Sequence, residues 1–104
     1  SVLYTLRGVS YGDLGQNELA IADLTSAIET DQTNSWGYQK RGSVYKKLGQ
    51  LDMAISDYSD SIRIQPEGET YYLRGQTYTE LGMREAAAPD FQKSEELGYM
   101  IPSE

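Results

Sequence analysis

Tyr4-Thr5-Leu6-Arg7-Gly8-Val9-Ser10-Tyr11-Gly12-Asp13-Leu14-Gly15 is a pattern written three times in this chain of 104 residues. It returns as Tyr38-Gln39-Lys40-Arg41-Gly42-Ser43-Val44-Tyr45-Lys46-Lys47-Leu48-Gly49 and as Tyr71-Tyr72-Leu73-Arg74-Gly75-Gln76-Thr77-Tyr78-Thr79-Glu80-Leu81-Gly82. The copies start 34 and then 33 residues apart, and six positions (Tyr, Arg, Gly, Tyr, Leu, Gly) are identical in all of them. A fixed period of this length marks like units stacked side by side, none of which can bury its apolar face alone. Such a stack offers an extended surface for another protein rather than one enclosed pocket.

Each copy reads as the first half of a helix pair. Leu3, Leu6, Tyr11 and Leu14 recur near helical spacing until Gly15, and Leu19, Ala20, Leu24, Ala27 and Ile28 then follow an amphipathic helical pattern. The Leu-Gly pairs are C-terminal stops, because Gly takes the left-handed conformation at low cost. Helices are predicted over about 2–14, 17–30, 36–48, 51–64, 69–81 and 84–97. The links Asp31-Gln32-Thr33-Asn34 and Gln65-Pro66-Glu67-Gly68 are rich in turn formers. Gly8, Gly42 and Gly75 fall inside the first helices, where Gly costs about 1 kcal/mol relative to Ala. That cost is reasonable where a second helix crosses closely, with Ala20, Ala54 and Ala87 as its small contacts.

Composition narrows the function. The chain has no Cys, which excludes disulfides and thiolate chemistry, and no His, the commonest general base and metal ligand. The net charge of −7 argues against nucleic acid, since binding phosphates needs concentrated Lys and Arg. No apolar run approaches the length that crosses a bilayer, so no membrane insertion is expected. No Ser or Thr has a His partner, no Gly-rich loop follows a strand and no loop has Ca²⁺-type spacing. The expectation is a non-enzymatic chain with no cofactor and no metal, soluble and intracellular, cytoplasmic or organellar. Charge is uneven: residues 1–34 sum to −4, 35–67 to +1 and 68–104 to −4, with Lys40, Arg41, Lys46 and Lys47 close together in the middle.

The pattern resembles the tetratricopeptide repeat. Tyr4, Gly8, Tyr11, Ala20, Leu24 and Ala27 match that family in the first unit, Tyr38, Gly42, Tyr45, Ala54, Tyr58 and Pro66 in the second, and Tyr71, Gly75, Tyr78, Ala87 and Phe91 in the third. Ser61 and Ser94 replace the family's second Ala. The resemblance implies an all-α, right-handed α-solenoid of three helix-turn-helix units, six antiparallel helices in all. The units span 1–34, 35–67 and 68–98, followed by an apolar tail over 99–104 and no clear C-terminal capping helix. It also implies a protein–protein interaction module, a scaffold or adaptor.

Three departures from the family stand out. Its usual Leu before Gly is Arg7, Arg41 and Arg74, and Asp23, Asp57 and Asp90 follow each by 16 residues. Arg offers a bidentate fork to a partly buried carboxylate, so structural ion pairs Arg7–Asp23, Arg41–Asp57 and Arg74–Asp90, within a repeat or to its neighbour, are expected; a ligand-binding Arg row is the alternative. Pro89 falls inside the last helix, where it removes the bond to the Glu85 carbonyl and should kink the helix or shift its start. Finally, Leu97, Tyr99, Met100 and Ile101 form an apolar end that folds back on the last helix, docks on a partner or marks a truncation.

The resemblance places the first helices on the concave face. By matching positions the partner-binding groove is formed by Trp36, Gln39, Lys40, Ser43, Lys46, Lys47, Tyr72 and Gln76. Trp36 and Tyr72 are interface anchors or packing between first helices, and the three Lys are a basic spot for an acidic segment or solvated surface. A subclass holds chaperone C-terminal carboxylates through Lys-Asn-Asn-Lys-Arg. Here the matching residues are Thr5, Val9, Lys40, Glu69 and Leu73, so Hsp70/Hsp90 tails are disfavoured. The alternative to the groove is a structural subunit that docks through its C-terminal end into a homo-oligomer or larger complex.

Overall fold

A computed structural model describes residues 2–99. They form six helices, α1 (Val2–Asp13), α2 (Asn17–Thr30), α3 (Ser35–Lys47), α4 (Leu51–Ile64), α5 (Gly68–Glu80) and α6 (Arg84–Glu96), with no strand among them. Each helix packs on its chain neighbours, and first helices also touch one another, α1 with α3 and α3 with α5. The result is a stack 34 × 24 × 22 Å. Met100 and Ile101 of the expected docking end lie outside the described residues.

The helix ends explain themselves. The first helices stop one residue earlier than the sequence predicts because the Leu of each Leu-Gly pair is already the cap, Leu48 at φ −81° and ψ −1°. Gly15, Gly49 and Gly82 then take φ between 77° and 80°. Behind each, the next N–H returns to the carbonyl of the second motif Tyr: Gln16 to Tyr11 at 2.8 Å, Gln50 to Tyr45 at 2.9 Å and Met83 to Tyr78 at 2.8 Å. That is the Schellman closure, and it satisfies carbonyls the helix leaves orphaned. Leu97-Gly98 repeats it, with Gly98 at φ 86° and Tyr99 N–H bonded to Ser94 O at 3.1 Å. α2 and α4 end differently, in extended caps at Asp31 and Gln65.

The mid-helix glycines sit where second helices cross. A Cβ on Gly42 would lie 3.0 Å from the Tyr58 ring and 3.2 Å from Asp57 Cβ; one on Gly75 would lie 2.9 Å from Phe91. Ala20, Leu24, Ala27, Ala54 and Tyr58 are fully buried around these crossings. Pro89 does not shift the start of its helix: α6 begins at Arg84, in register with Asn17 and Leu51, and runs unbroken to Glu96. Pro89 and Glu85 are both exposed, so water can take the carbonyl that the ring leaves unpaired.

Candidate functional site

The repeated Arg builds the frame of the site. Arg7 Nε and Nη2 donate to Asp23 at 2.7 and 2.9 Å, Arg41 to Asp57 at 2.8 and 2.8 Å, and Arg74 to Asp90 at 2.8 and 2.7 Å. Each guanidinium lies 5.6–5.9 Å from the rings of the motif Tyr before it and the motif Tyr after it. The pattern Tyr-x-x-Arg-x-x-x-Tyr is thus an aromatic clamp on a cation, which fixes the fork for its carboxylate. The free nitrogen, Nη1, reaches the preceding pair: Arg41 donates to Thr25 Oγ1 at 3.2 Å and Arg74 to Ser59 Oγ at 3.1 Å.

Electrostatics differ along the stack. Asp23 is shielded from direct contact with water but lies just under the surface, and the hydrogen bonds of Arg7 hold its carboxyl below the usual 3.8. Deeper in, burial outweighs Arg41 and moves the Asp57 carboxyl up. Burial also pushes the Tyr58 hydroxyl up to about 12, although Ser43 Oγ lies 2.9 Å from it.

The expected groove residues lie along α3 and α5, and most are already engaged, Lys46, Gln76 and Tyr72 with one another and Gln39, Ser43 and Lys47 with other residues. Gln39 is buried and donates to Thr70 Oγ1 at 3.0 Å and Glu69 Oε1 at 3.2 Å. Lys46 Nζ reaches Gln76 Oε1 at 3.3 Å and Glu80 at 3.5 Å, while Gln76 donates to Tyr72 OH at 2.9 Å. Lys47 Nζ donates to Gly12 O at 2.6 Å, capping the negative end of α1. Tyr72 packs against Phe91 and Tyr99, with ring centroids 5.8 and 5.3 Å away. This leaves Trp36, which is 41% exposed, and the half-buried Lys40 as the groove side chains outside the network. Between α1 and α3 a cavity of about 110 Å³ is lined by Val9, Asp13, Leu24, Lys40, Ser43 and Lys47 among others.

Some contributors were missed by sequence reasoning. Asn34 caps α3 by accepting from Gly37 N–H at 2.9 Å and ties it to α1 by donating to Thr5 Oγ1 at 2.9 Å. Ser61 Oγ donates to Ser35 O at 3.0 Å and Ser94 Oγ to Gly68 O at 2.8 Å, binding the end of each second helix to the start of its first. The signal was the replacement of Ala by Ser in those two units alone. Tyr99, expected at the docking end, packs its ring against Tyr72 of α5; the signal for that turn is the fourth Leu-Gly pair. Leu97 remains exposed.

Profiles described as Tetratricopeptide repeat match residues 2–34 and 68–97, and another of the same description matches 24–56. The chain belongs to the tetratricopeptide repeat family. Among solved structures, this tetratricopeptide chain is 31% identical to a crystal structure of MamA, with a TM-score of 0.87 over 89% of its own length and 55% of that chain. It therefore spans about half the length of the MamA structures it matches. It is 26% identical to the second TPR of Spaghetti (RPAP3), solved bound to the HSP90 peptide SRMEEVD, with a TM-score of 0.89 over 92% of this chain and 90% of that one. A search of curated proteins finds no match.

Proposed function

We propose that this tetratricopeptide stack is a non-enzymatic adaptor whose concave face, formed by α1, α3 and α5, binds a peptide or helical segment of another protein. The observation that carries this reading is the cavity between α1 and α3. Its walls include Val9, Lys40 and Ser43, positions where the three copies differ, whereas the shared Tyr, Arg, Gly and Leu are spent on packing. The bonds of Gln39 to Glu69 and Thr70, and the separate chain from Lys46 through Gln76 to Tyr72, order the floor before a ligand arrives, which lowers the ordering cost of binding. Lys40 beside apolar Val9 and Leu24 suits a segment with an apolar anchor next to one acid.

The solved Spaghetti domain shows that a stack of this size accommodates a seven-residue acidic peptide. The present groove has a different chemistry. Thr5 is buried and bonded to Asn34, Glu69 is an acceptor for Gln39, and only Lys40 is basic among the clamp positions. Fluorescence polarisation with SRMEEVD and with peptides selected by display on the intact chain tests the reading. Selected peptides should bind with Kd near micromolar, about 8 kcal/mol of binding free energy, and lose about tenfold on Lys40→Glu or Trp36→Ala. SRMEEVD should bind no better than a scrambled control. Tight SRMEEVD binding that ignores Lys40→Glu, or no selectable peptide at all, refutes this groove chemistry.

Assembly through the C-terminal end is the second reading, and exposed Leu97 is the observation that favours it. A dimer seen by light scattering and abolished by Leu97→Glu or Ile101→Glu would select it over the adaptor.

A further inference from the structure

Gly12 is a helical glycine that packing does not require. Gly8, Gly37, Gly42, Gly68 and Gly75, also in helices, each have a neighbour within 3.0 Å of the place a Cβ would take. A Cβ on Gly12 would stand 3.4 Å from Val44 Cγ2 and 3.8 Å from Ala20 Cβ and Lys47 Nζ, ordinary contact distances. Its backbone is not left-handed, unlike that of Gly15, Gly49, Gly82 and Gly98. In register with it stand Lys46 and Thr79, so the repeat itself does not ask for Gly there. Gly nevertheless weakens a helix relative to Ala. What the missing side chain provides is space. Gly12 lines the cavity of about 110 Å³ between α1 and α3, and a Cβ on it would point at Val44 and Lys47, which line the same cavity.

Size and charge say what fits. Leu24 and Val44, both buried, and Val9 make the recess apolar. A dry cavity of about 150 Å³ has room for a benzene ring; 110 Å³ suits a branched aliphatic side chain instead. Lys40 and Lys47 stand on α3 at opposite ends of the recess, seven residues apart, or about 10 Å along the helix. At one end Lys47 Nζ is already bonded to Gly12 O at 2.6 Å, and Asp13 stands beside it. A second carboxylate there meets repulsion. At the other end is Lys40, outside the hydrogen-bond network of the groove. The walls all come from α1, α2 and α3, so the recess is built within the stack and owes nothing to an uncovered end.

We propose that the recess opened by Gly12 is the anchor subsite of the groove. It takes one branched aliphatic side chain (Leu, Ile or Val) of a partner peptide that carries Asp or Glu on the Lys40 side of that anchor and no acid on the Asp13 side. This rests on the peptide-adaptor reading above and adds the residues the partner must bring.

The probe is a fluorescein-labelled dodecapeptide selected on the intact chain from a random phage-displayed library. It is remade with Leu, Val or Phe at its aliphatic position and titrated by fluorescence polarisation. The native chain should prefer Leu or Val to Phe by about tenfold, since one group too many in an apolar pocket costs at least that. Gly12→Ala should fold, with a thermal midpoint equal to or above that of the native chain. It should bind the Leu peptide about tenfold more weakly and the Val peptide with a smaller loss, a size exchange that a merely structural role of Gly12 would not produce. Moving the acid to the far side of the anchor should weaken binding severalfold on the native chain and less on Asp13→Asn. The subsite is overturned if Phe binds as well as Leu, or if Gly12→Ala binds every peptide as the native chain does. Where Lys40→Glu and Trp36→Ala still weaken those same peptides, the adaptor reading stands without it. Dimerisation that Gly12→Ala abolishes gives the recess to a second copy and also overturns it. No selectable peptide overturns both the subsite and the adaptor reading.

Discussion

Arg41 shows what one residue of the repeat does. Two tyrosines flank it, Asp57 takes two of its nitrogens and Thr25 the third, so one side chain ties three helices together. Asp57 is buried, and removing the cation strands its charge. Arg41→Leu should therefore cost about 3–5 kcal/mol, and the double change with Asp57→Leu clearly less, because an apolar pair can replace a buried ion pair. Urea unfolding of both variants and of Asp57→Leu alone reads this directly; a double change that costs the sum of the two single ones would mean that the pair is not coupled. Arg7→Leu should cost less than Arg41→Leu, since its pair is open to solvent on one side. The carboxylates should also titrate apart in NMR-detected experiments, Asp23 below 3.8 and Asp57 above it. Because the folded state lowers the Asp23 value, the stability it adds is complete above the unfolded value and is lost as pH falls through the folded one. Asp57, raised on folding, contributes with the opposite sign: its share is present at low pH and lost as pH rises through its folded value. Coincident midpoints would contradict at least one of the two assignments, and a midpoint on the wrong side of 3.8 identifies which.

At the scale of helices, the decisive variable is how closely second helices cross first ones. Gly42 faces a packed aromatic ring and a backbone-proximal Cβ, neither of which can swing away. Gly42→Ala should then destabilise by about 1–3 kcal/mol despite the better helix propensity of Ala, because overpacking outweighs the roughly 1 kcal/mol gained. A stabilised Gly42→Ala variant in thermal unfolding would show that the crossing is looser than drawn. α6 tests the opposite case. Pro89 is exposed, and Ala is smaller than the ring it replaces, so Pro89→Ala restores the bond to Glu85 O without a steric cost. We expect it to stabilise by about 1–3 kcal/mol, with the midpoint rising about 4–8 °C per kcal/mol for a domain of this size.

Across the whole molecule, stability follows position in the stack. α3 is packed between the first pair and α5, whereas among the described residues α1 has neighbours on one side only and its Leu3 is exposed. In a one-dimensional array each unit draws its stability from its neighbours, so amide exchange should be fastest in α1 and slowest in α3 and α4. Uniform protection across the six helices would show that the stack opens only as a whole.

Much of this was legible beforehand. The 34- and 33-residue period and the Leu-Gly stops placed all six helices to within a residue or so, because helix length, apolar periodicity and the left-handed Gly are local properties of the chain. Spacing also pointed each Arg at an Asp, since 16 residues is a short walk down one helix and back along the next. Sequence alone could not say which groove residues were already engaged. Tyr72 as packing, Lys47 as the cap of α1 and Tyr99 against Tyr72 rather than at the docking end all depend on side chains about 27–35 positions apart, whose distances exist only once the pairs are stacked. Nor could it show that Leu3 and Glu95 are exposed while Gly37 and Thr70, in register with Leu3, are buried. The sequence determined the unit and its period; the tertiary structure decided which copies of the same residue are buried, because burial belongs to the neighbour and not to the motif.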